Sequence, residues 1–280
     1  MNDPFLMQRE LRYGYPVCDQ VLTGRHFTIG YSWYFRQAKW TLEIINRELL
    51  LVNDTVPEVD RLDNFRADTR IPERFRAGLK AYSGSGYDRG HLVASANQDI
   101  VEIQNSETFL LSNMSPQHPD LNRKRWRELE EAIRKLDARK DVLETYVLTC
   151  PLFYFGEKIE RIGKNQPDFG ISVPVPHAFI KSVLVEDRQG RHRLWTFLMA
   201  NPALVADPAL PDPLANRDLS TYLMKTYDAE QIVGGRFWDG ISGGDMHEAK
   251  GGEGKLEAMW PSESTAPFPG LKPFPAPVTG

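Results

Sequence analysis

The sequence predicts a mixed α+β fold, a central antiparallel sheet flanked by helices, and three observations predict it. Runs rich in aromatic and β-branched residues recur along the chain, and one segment near its middle carries a helical apolar stripe. The third is size: 280 residues that are 41% hydrophobic can bury a core without disulfides or structural zinc.

Residues 1–24 read as an N-terminal extension. Between residues 26 and 52 two strands, HFTIGYSWYF and KWTLEII, flank the turn-like Arg36-Gln37-Ala38 and form an opening hairpin. Residues 53–80, polar and interrupted by Pro57 and Pro72, read as a surface connection into the turn Ser83-Gly84-Ser85-Gly86. Phe109-Leu110-Leu111 reads as a short buried strand that passes into a polar loop, 112–117. Beyond Pro119, Trp126, Leu129, Ile133 and Leu136 fall three, four and three apart, which lays one apolar stripe along a helix. Three strand-like runs follow at 145–150, 171–185 (broken by Pro174 and Pro176) and 193–199. Thr226 is placed to cap a short helix, with Asp228 and Glu230 in its first turn and Gly234 beyond its end. The Gly-rich, then Pro-rich segment 236–280 is expected to be extended or disordered.

Lys and Arg number 34 against 38 Asp and Glu, a net charge of -4, which argues against a broad coating of nucleic acid. A local basic face survives: residues 120–140 hold eight bases and five acids, +3. No apolar run is long enough to span a bilayer, and the first residues lack the apolar core of a signal peptide. A cytoplasmic location, or export by a signal-less route, is expected. Cys18 and Cys150 are too few for a zinc quartet, and Cys150 sits in an apolar run that predicts a buried, unreactive thiol. GSGYDRG has the wrong spacing for a dinucleotide-binding loop.

Asp88-Arg89-Gly90-His91 is followed by Asn113 after 22 residues, Asn122 after nine more and Glu130 after a further eight. Each element alone reads as a turn, a cap or a solvated charge. Together they supply a neutral imidazole to take a proton from water, an amide oxygen for Mg²⁺, and cations for a phosphate, the needs of metal-assisted phosphodiester hydrolysis. Mg²⁺ keeps several of its waters, so one Asn oxygen is an adequate anchor. Eight helical residues separate Asn122 and Glu130 by about 12 Å along the axis, too far for one inner sphere. Glu130 is therefore assigned an outer-sphere role, acting through water.

With these residues set out, the sequence resembles the DNA/RNA non-specific endonucleases of the ββα-metal class, and among them the endonuclease G group, whose signature is D-R-G-H. The resemblance runs in order through SGYDRGHLVASAN (85–97), TFLLSNMSPQHPDLNRKRWRELE (108–130), YVLTCPLF (146–153), IGKN (162–165), VPVPHAFIKSVLVE (173–186) and FLMANP (197–202). It implies a nuclease domain over 25–235 with the ββα-metal fold. It also implies that His91 is the general base, that Asn122 is the metal ligand, and that Arg89, Asn113 and Glu130 support them. Asp88 orients its neighbours. The upstream phosphate-binding arginine is Arg61, with Arg66 as the alternative. Mg²⁺, replaceable by Mn²⁺, and cleavage of DNA and RNA to 5′-phosphate and 3′-hydroxyl ends follow from the same resemblance. Two departures are Cys150, where the family's strand usually carries Gly before Pro, and the missing export or mitochondrial signal. The competing readings are a toxin-like effector restrained by an inhibitor or immunity protein, and a non-catalytic nucleic-acid-binding protein on the same scaffold. A homodimer is a further partner state to test.

Overall fold

The computed structural model describes residues 8–45, 59–163, 172–201, 218–241 and 244–252. Its centre is a seven-stranded antiparallel sheet built from β1 (Gln20–Thr23), β2 (Phe27–Ser32), β3 (Gln37–Ile45), and then, after a long insertion, four later strands. The insertion comprises α1 (Leu79–Tyr82), β4 (Asp88–His91), α2 (Glu102–Thr108), β5 (Met114–Gln117) and α3 (Arg127–Asp137). Next come β6 (Val142–Leu152), the short pair β7 (Arg161–Ile162) and β8 (Val173–Pro174), and then β9 (Ala178–Asp187), β10 (His192–Ala200), β11 (Leu223–Met224), α4 (Thr226–Val233) and α5 (Gly244–Gly251). The sheet order is β1-β2-β3-β6-β9-β10-β11, so α3 and its hairpin are inserted between the adjacent strands β3 and β6.

Alternation along the strands sorts their side chains onto two faces. Val147 of β6 and Phe179 and Val183 of β9 face α3, whose stripe of Trp126, Leu129, Ile133 and Leu136 is buried against them as the spacing predicts. Tyr146, Leu148, Cys150, Ile180 and Leu184 face the other way, into a second core with Trp40, Phe237 and Trp238. Burial raises the Cys150 thiol pKa, and both cysteines are free thiols. Among the described residues no helix is long and apolar enough to cross a membrane.

Several expectations are corrected. Phe109-Leu110-Leu111 is not a strand: it links α2 to a tight turn, Leu111–Asn113, and the strand is the polar MSPQ that was expected to be loop. Those polar residues can be buried because they are partnered; Ser115 Oγ donates to Gln37 Oε1 at 2.7 Å. Within 59–80 the connection dips inward, with Ile71 in the core and Asp68 buried, accepting from Arg70 and Ser112. Thr226 is the first residue of α4 rather than its cap, its hydroxyl bonded to Thr196 Oγ1 at 2.8 Å. Gly234 does end α4, in left-handed backbone at φ 67°. From residue 8 the expected N-terminal extension is part of the fold, since β1 lies in the sheet and Leu11 and Tyr13 are buried; residues 1–7 lie outside the described residues. At the other end the extended tail does not begin at 236: Phe237 and Trp238 are buried, and α5 carries the chain to 251 with Met246 and Lys250 buried. Residues 253–280 of the expected tail lie outside the described residues.

Candidate active site

β4 and β5 pair antiparallel, Asp88 opposite Gln117, Gly90 opposite Ser115 and His91 opposite Met114. The chain then enters a widened π turn, Leu121–Trp126, that runs directly into α3. Two strands and a helix thus carry Asp88, His91, Asn122 and Glu130 on one ββα unit, in which Asn122 meets Asp88. Trp126 ties them, buried under α3 with its indole N–H donated to the His91 carbonyl oxygen at 3.3 Å. Gly90 is required by close approach: a Cβ there would lie 2.3 Å from Gln117 Oε1.

His91 packs edge-on against Phe65 and Phe109, ring centroids 5.7 and 5.0 Å away. Its Nε2 is buried and has no hydrogen-bond partner. Burial, reinforced by the nearby Arg61 and Arg89 charges, pushes the imidazole pKa down to about 3. The ring is therefore neutral near pH 7, the state a proton acceptor needs.

Asp88 orients the metal-ligand candidate. Asn122 Nδ2 donates to Asp88 Oδ2 at 2.9 Å, while Arg123 grips both carboxylate oxygens at 2.9 and 2.8 Å. Hydrogen bonds and charge from these groups outweigh burial and hold the Asp88 carboxyl below its usual range. An ionised carboxylate only accepts, so the Asn122 amide must turn its nitrogen inward, which leaves Oδ1 without a donor among the described residues.

Glu130 is 13% exposed, with its Oε1 buried and unpartnered. Beneath it lies a group that sequence reasoning missed. Lys181, 1% exposed, places Nζ 3.9 Å from Glu130 Oε1, 4.5 Å over the Trp126 ring, and within hydrogen-bond reach of Thr149 Oγ1 at 3.1 Å and the Leu92 carbonyl at 3.4 Å. Glu43, fully buried on β3 and hydrogen-bonded by Asn97 and Gln98, shares that lysine's field; burial still raises its pKa to about 7. Arg134, one helical turn beyond Glu130 and bonded to Asn97 at 3.1 Å, also favours the ionised Glu130, although burial keeps its pKa raised. The available signals were a lysine inside the apolar run AFIKSVLV and an Arg four residues after Glu130.

The two candidate arginines take different places. Arg61 lies 4.9 Å over Phe109, donates to Ser95, and is near enough to His91 and Glu130 to act on both electrostatically. Arg66 instead donates to Asn64 and to the Ser106 carbonyl. Arg89 is exposed, 4.0 Å over the Phe65 ring. Asn113 stands apart from the reactive groups. It is fully buried, and all its bonds go to backbone: Oδ1 accepts from Val93 N–H, and Nδ2 donates to the Val93 and Thr108 carbonyls, each at 2.9 Å. Its side chain braces the chain just past His91.

The sequence profile of the DNA/RNA non-specific endonucleases matches residues 9–243. The chain belongs to that family. The nuclease is 30% identical over 246 residues to the mitochondrial endonuclease G of Caenorhabditis elegans, covering 81% of this chain and 78% of that protein. It is 33% identical over 204 residues to human mitochondrial endonuclease G, covering 71% of this chain and 65% of the relative. A nuclease of Nostoc sp. is 34% identical over 223 residues, 79% and 74% of the two chains. A crystal structure described as the EndoG/EndoGI complex, on the mechanism of EndoG inhibition, superposes with a TM-score of 0.71 at 30% identity, over 84% of this chain and 91% of that one.

Proposed function

We propose that this nuclease is Mg²⁺-dependent and hydrolyses phosphodiester bonds of DNA and RNA, leaving 5′-phosphate and 3′-hydroxyl ends, with His91 as general base and Asn122 as the protein's metal ligand. The observation that carries the reading is that one ββα unit holds both a neutral His91 nitrogen without a hydrogen-bond partner and an Asn122 side chain whose nitrogen is engaged by Asp88, which frees its oxygen. The donor set fits a hard, well-hydrated ion: one amide oxygen, with the Glu130 carboxylate, whose Oε1 has no hydrogen-bond partner, to accept from water around it. When bound, the ion offsets charge on the phosphate and the departing oxygen. His91 takes the proton of the attacking water. Arg61 and Arg89 neutralise the phosphate and read no base, consistent with low sequence specificity. An inhibitor protein as partner is supported by the relative solved with one.

On a circular plasmid, His91→Ala is expected to abolish nicking while its circular dichroism stays that of the wild type, and chelator is expected to abolish wild-type nicking. Asn122→Ala should lower both the rate and the apparent affinity for Mg²⁺. A fully active His91→Ala protein defeats the base assignment, and an unchanged Mg²⁺ titration of Asn122→Ala defeats the ligand assignment.

A further inference from the structure

The turn between β2 and β3 exposes aromatic side chains that the hydrolytic centre does not use. Trp33 is 38% and Tyr34 74% exposed. Trp33 is fixed in place: its backbone N–H donates to Asp19 Oδ2 at 2.9 Å, its indole N–H to Gln20 Oε1 at 3.0 Å, and its ring stacks on Phe75 with centroids 5.0 Å apart and planes 9° from parallel. Across a cleft of about 470 Å³ lie Arg36 and Arg161. Both guanidinium groups converge on one acceptor, the Ser172 carbonyl, at 3.1 Å each. No carboxylate among the described residues pairs with either, and Arg36 Nε is buried without a hydrogen-bond partner. Two like charges on one carbonyl oxygen repel, and burial together with Arg161 lowers the Arg36 pKa. Asp19, the one acid lining the cleft, already accepts from Ser32 and Trp33.

A held aromatic face beside guanidinium groups that no carboxylate among the described residues pairs with fits one ligand chemistry, a base on the ring and a phosphate on the arginines. Bases in a duplex are stacked on one another and cannot offer a free face, so the nucleotide must be unpaired. The cleft also adjoins the catalytic hairpin. Gln37, next in the chain to Arg36, accepts from Ser115, which lies opposite Gly90 between Arg89 and His91. On the other side Tyr87, adjacent to Asp88, donates to Glu160 at 3.1 Å, next to Arg161.

We propose that the cleft formed by Trp33, Phe75, Arg36 and Arg161 is a second binding site for an unpaired nucleotide of the substrate strand, separate from the hydrolytic centre. The proposal rests on the chain being a nuclease and on no role assigned to His91 or Asn122. Trp33→Ala, Arg36→Gln and Tyr34→Ala, the last at an exposed residue lining the same cleft, are compared with the wild type, their folding checked by circular dichroism. Affinity is measured for a long fluorescent oligothymidylate in chelator, and KM and kcat are measured on single-stranded and duplex DNA. Losing one stacking or phosphate contact should weaken the oligothymidylate and raise the single-strand KM about five- to tenfold, with kcat and the duplex KM held within about twofold. Unchanged affinity in all three variants overturns the proposal, as does an equal loss on duplex and single strand. Conversion of a dimer to a monomer at unchanged oligothymidylate affinity assigns the cleft to a second copy and also overturns it. If the wild type cleaved nothing, the nuclease reading would fail, while the binding measurement would still decide the cleft.

Discussion

His91 shows how burial sets protonation in this site. Its ring packs against Phe65 and Phe109, and burial together with the nearby Arg61 and Arg89 charges disfavours the imidazolium, so the pKa falls to about 3. Glu130 is shifted the other way, raised above the usual carboxylate value by burial. As pH falls from 8, Glu130 therefore gains its proton before His91 does. The His91 ring resonance in an NMR titration should hold steady from pH 8 to 5, through the ordinary histidine range near 6.5. The acid limb of kcat/KM should belong to Glu130 and move when that residue is changed to Gln. A His91 resonance titrating near 6.5 would show that water reaches the ring. Of the candidate set D-R-G-H, Asn122 and Glu130, the sequence offered each element alone as an ordinary turn, cap or solvated charge, and only their combination and the family resemblance singled them out. Asn113 was legible as a member of the set, but its work is to clamp Val93 and Thr108, which no spacing reveals.

At the scale of elements, α3 was legible because its stripe is long and regular, whereas β5 was not. MSPQ is polar and carries a proline, and it becomes a buried strand only because Gln37 and β4 supply partners from elsewhere in the chain. The floor beneath α3 is equally non-local: β3 contributes Glu43, β9 Lys181 and α3 Glu130, so one buried cation faces two buried carboxylates. Removing the cation leaves those carboxylates without it. Lys181→Met should destabilise the fold by about 3–5 kcal/mol at pH 8, where Glu43 is ionised. The sign of the pH dependence follows from Glu43: a carboxyl whose folded pKa is raised to about 7 is neutral at pH 5, so there the loss of Lys181 costs less. Urea unfolding at the two pH values measures the difference. A penalty independent of pH would mean that Lys181 acts through packing on Trp126 rather than through charge.

Across the whole molecule the sheet separates two jobs. One face carries α3 and the hydrolytic centre; the other is sealed by the N-terminal Leu11 and Tyr13, by α4, and by the segment from Phe237 through α5. The Gly-rich composition from 236 onward hid this, because two aromatic residues suffice to anchor a segment that is otherwise polar. Trp238 is 1% exposed, and its indole N–H donates to Ser182 Oγ at 2.9 Å, the first link of a hydroxyl chain through Thr196 to Thr226. Trp238→Ala removes the ring from the second core and strips Ser182 of a donor, so a loss of about 3–5 kcal/mol is expected in urea unfolding. Ser182 and Lys181 are neighbours on β9 but point to opposite faces, so the change is transmitted to Glu130 only if the strand itself shifts. At a temperature where the variant remains folded, kcat should match the wild type. A fall in kcat under those conditions would show that the rear core sets the position of β9, and with it the lysine under the catalytic helix.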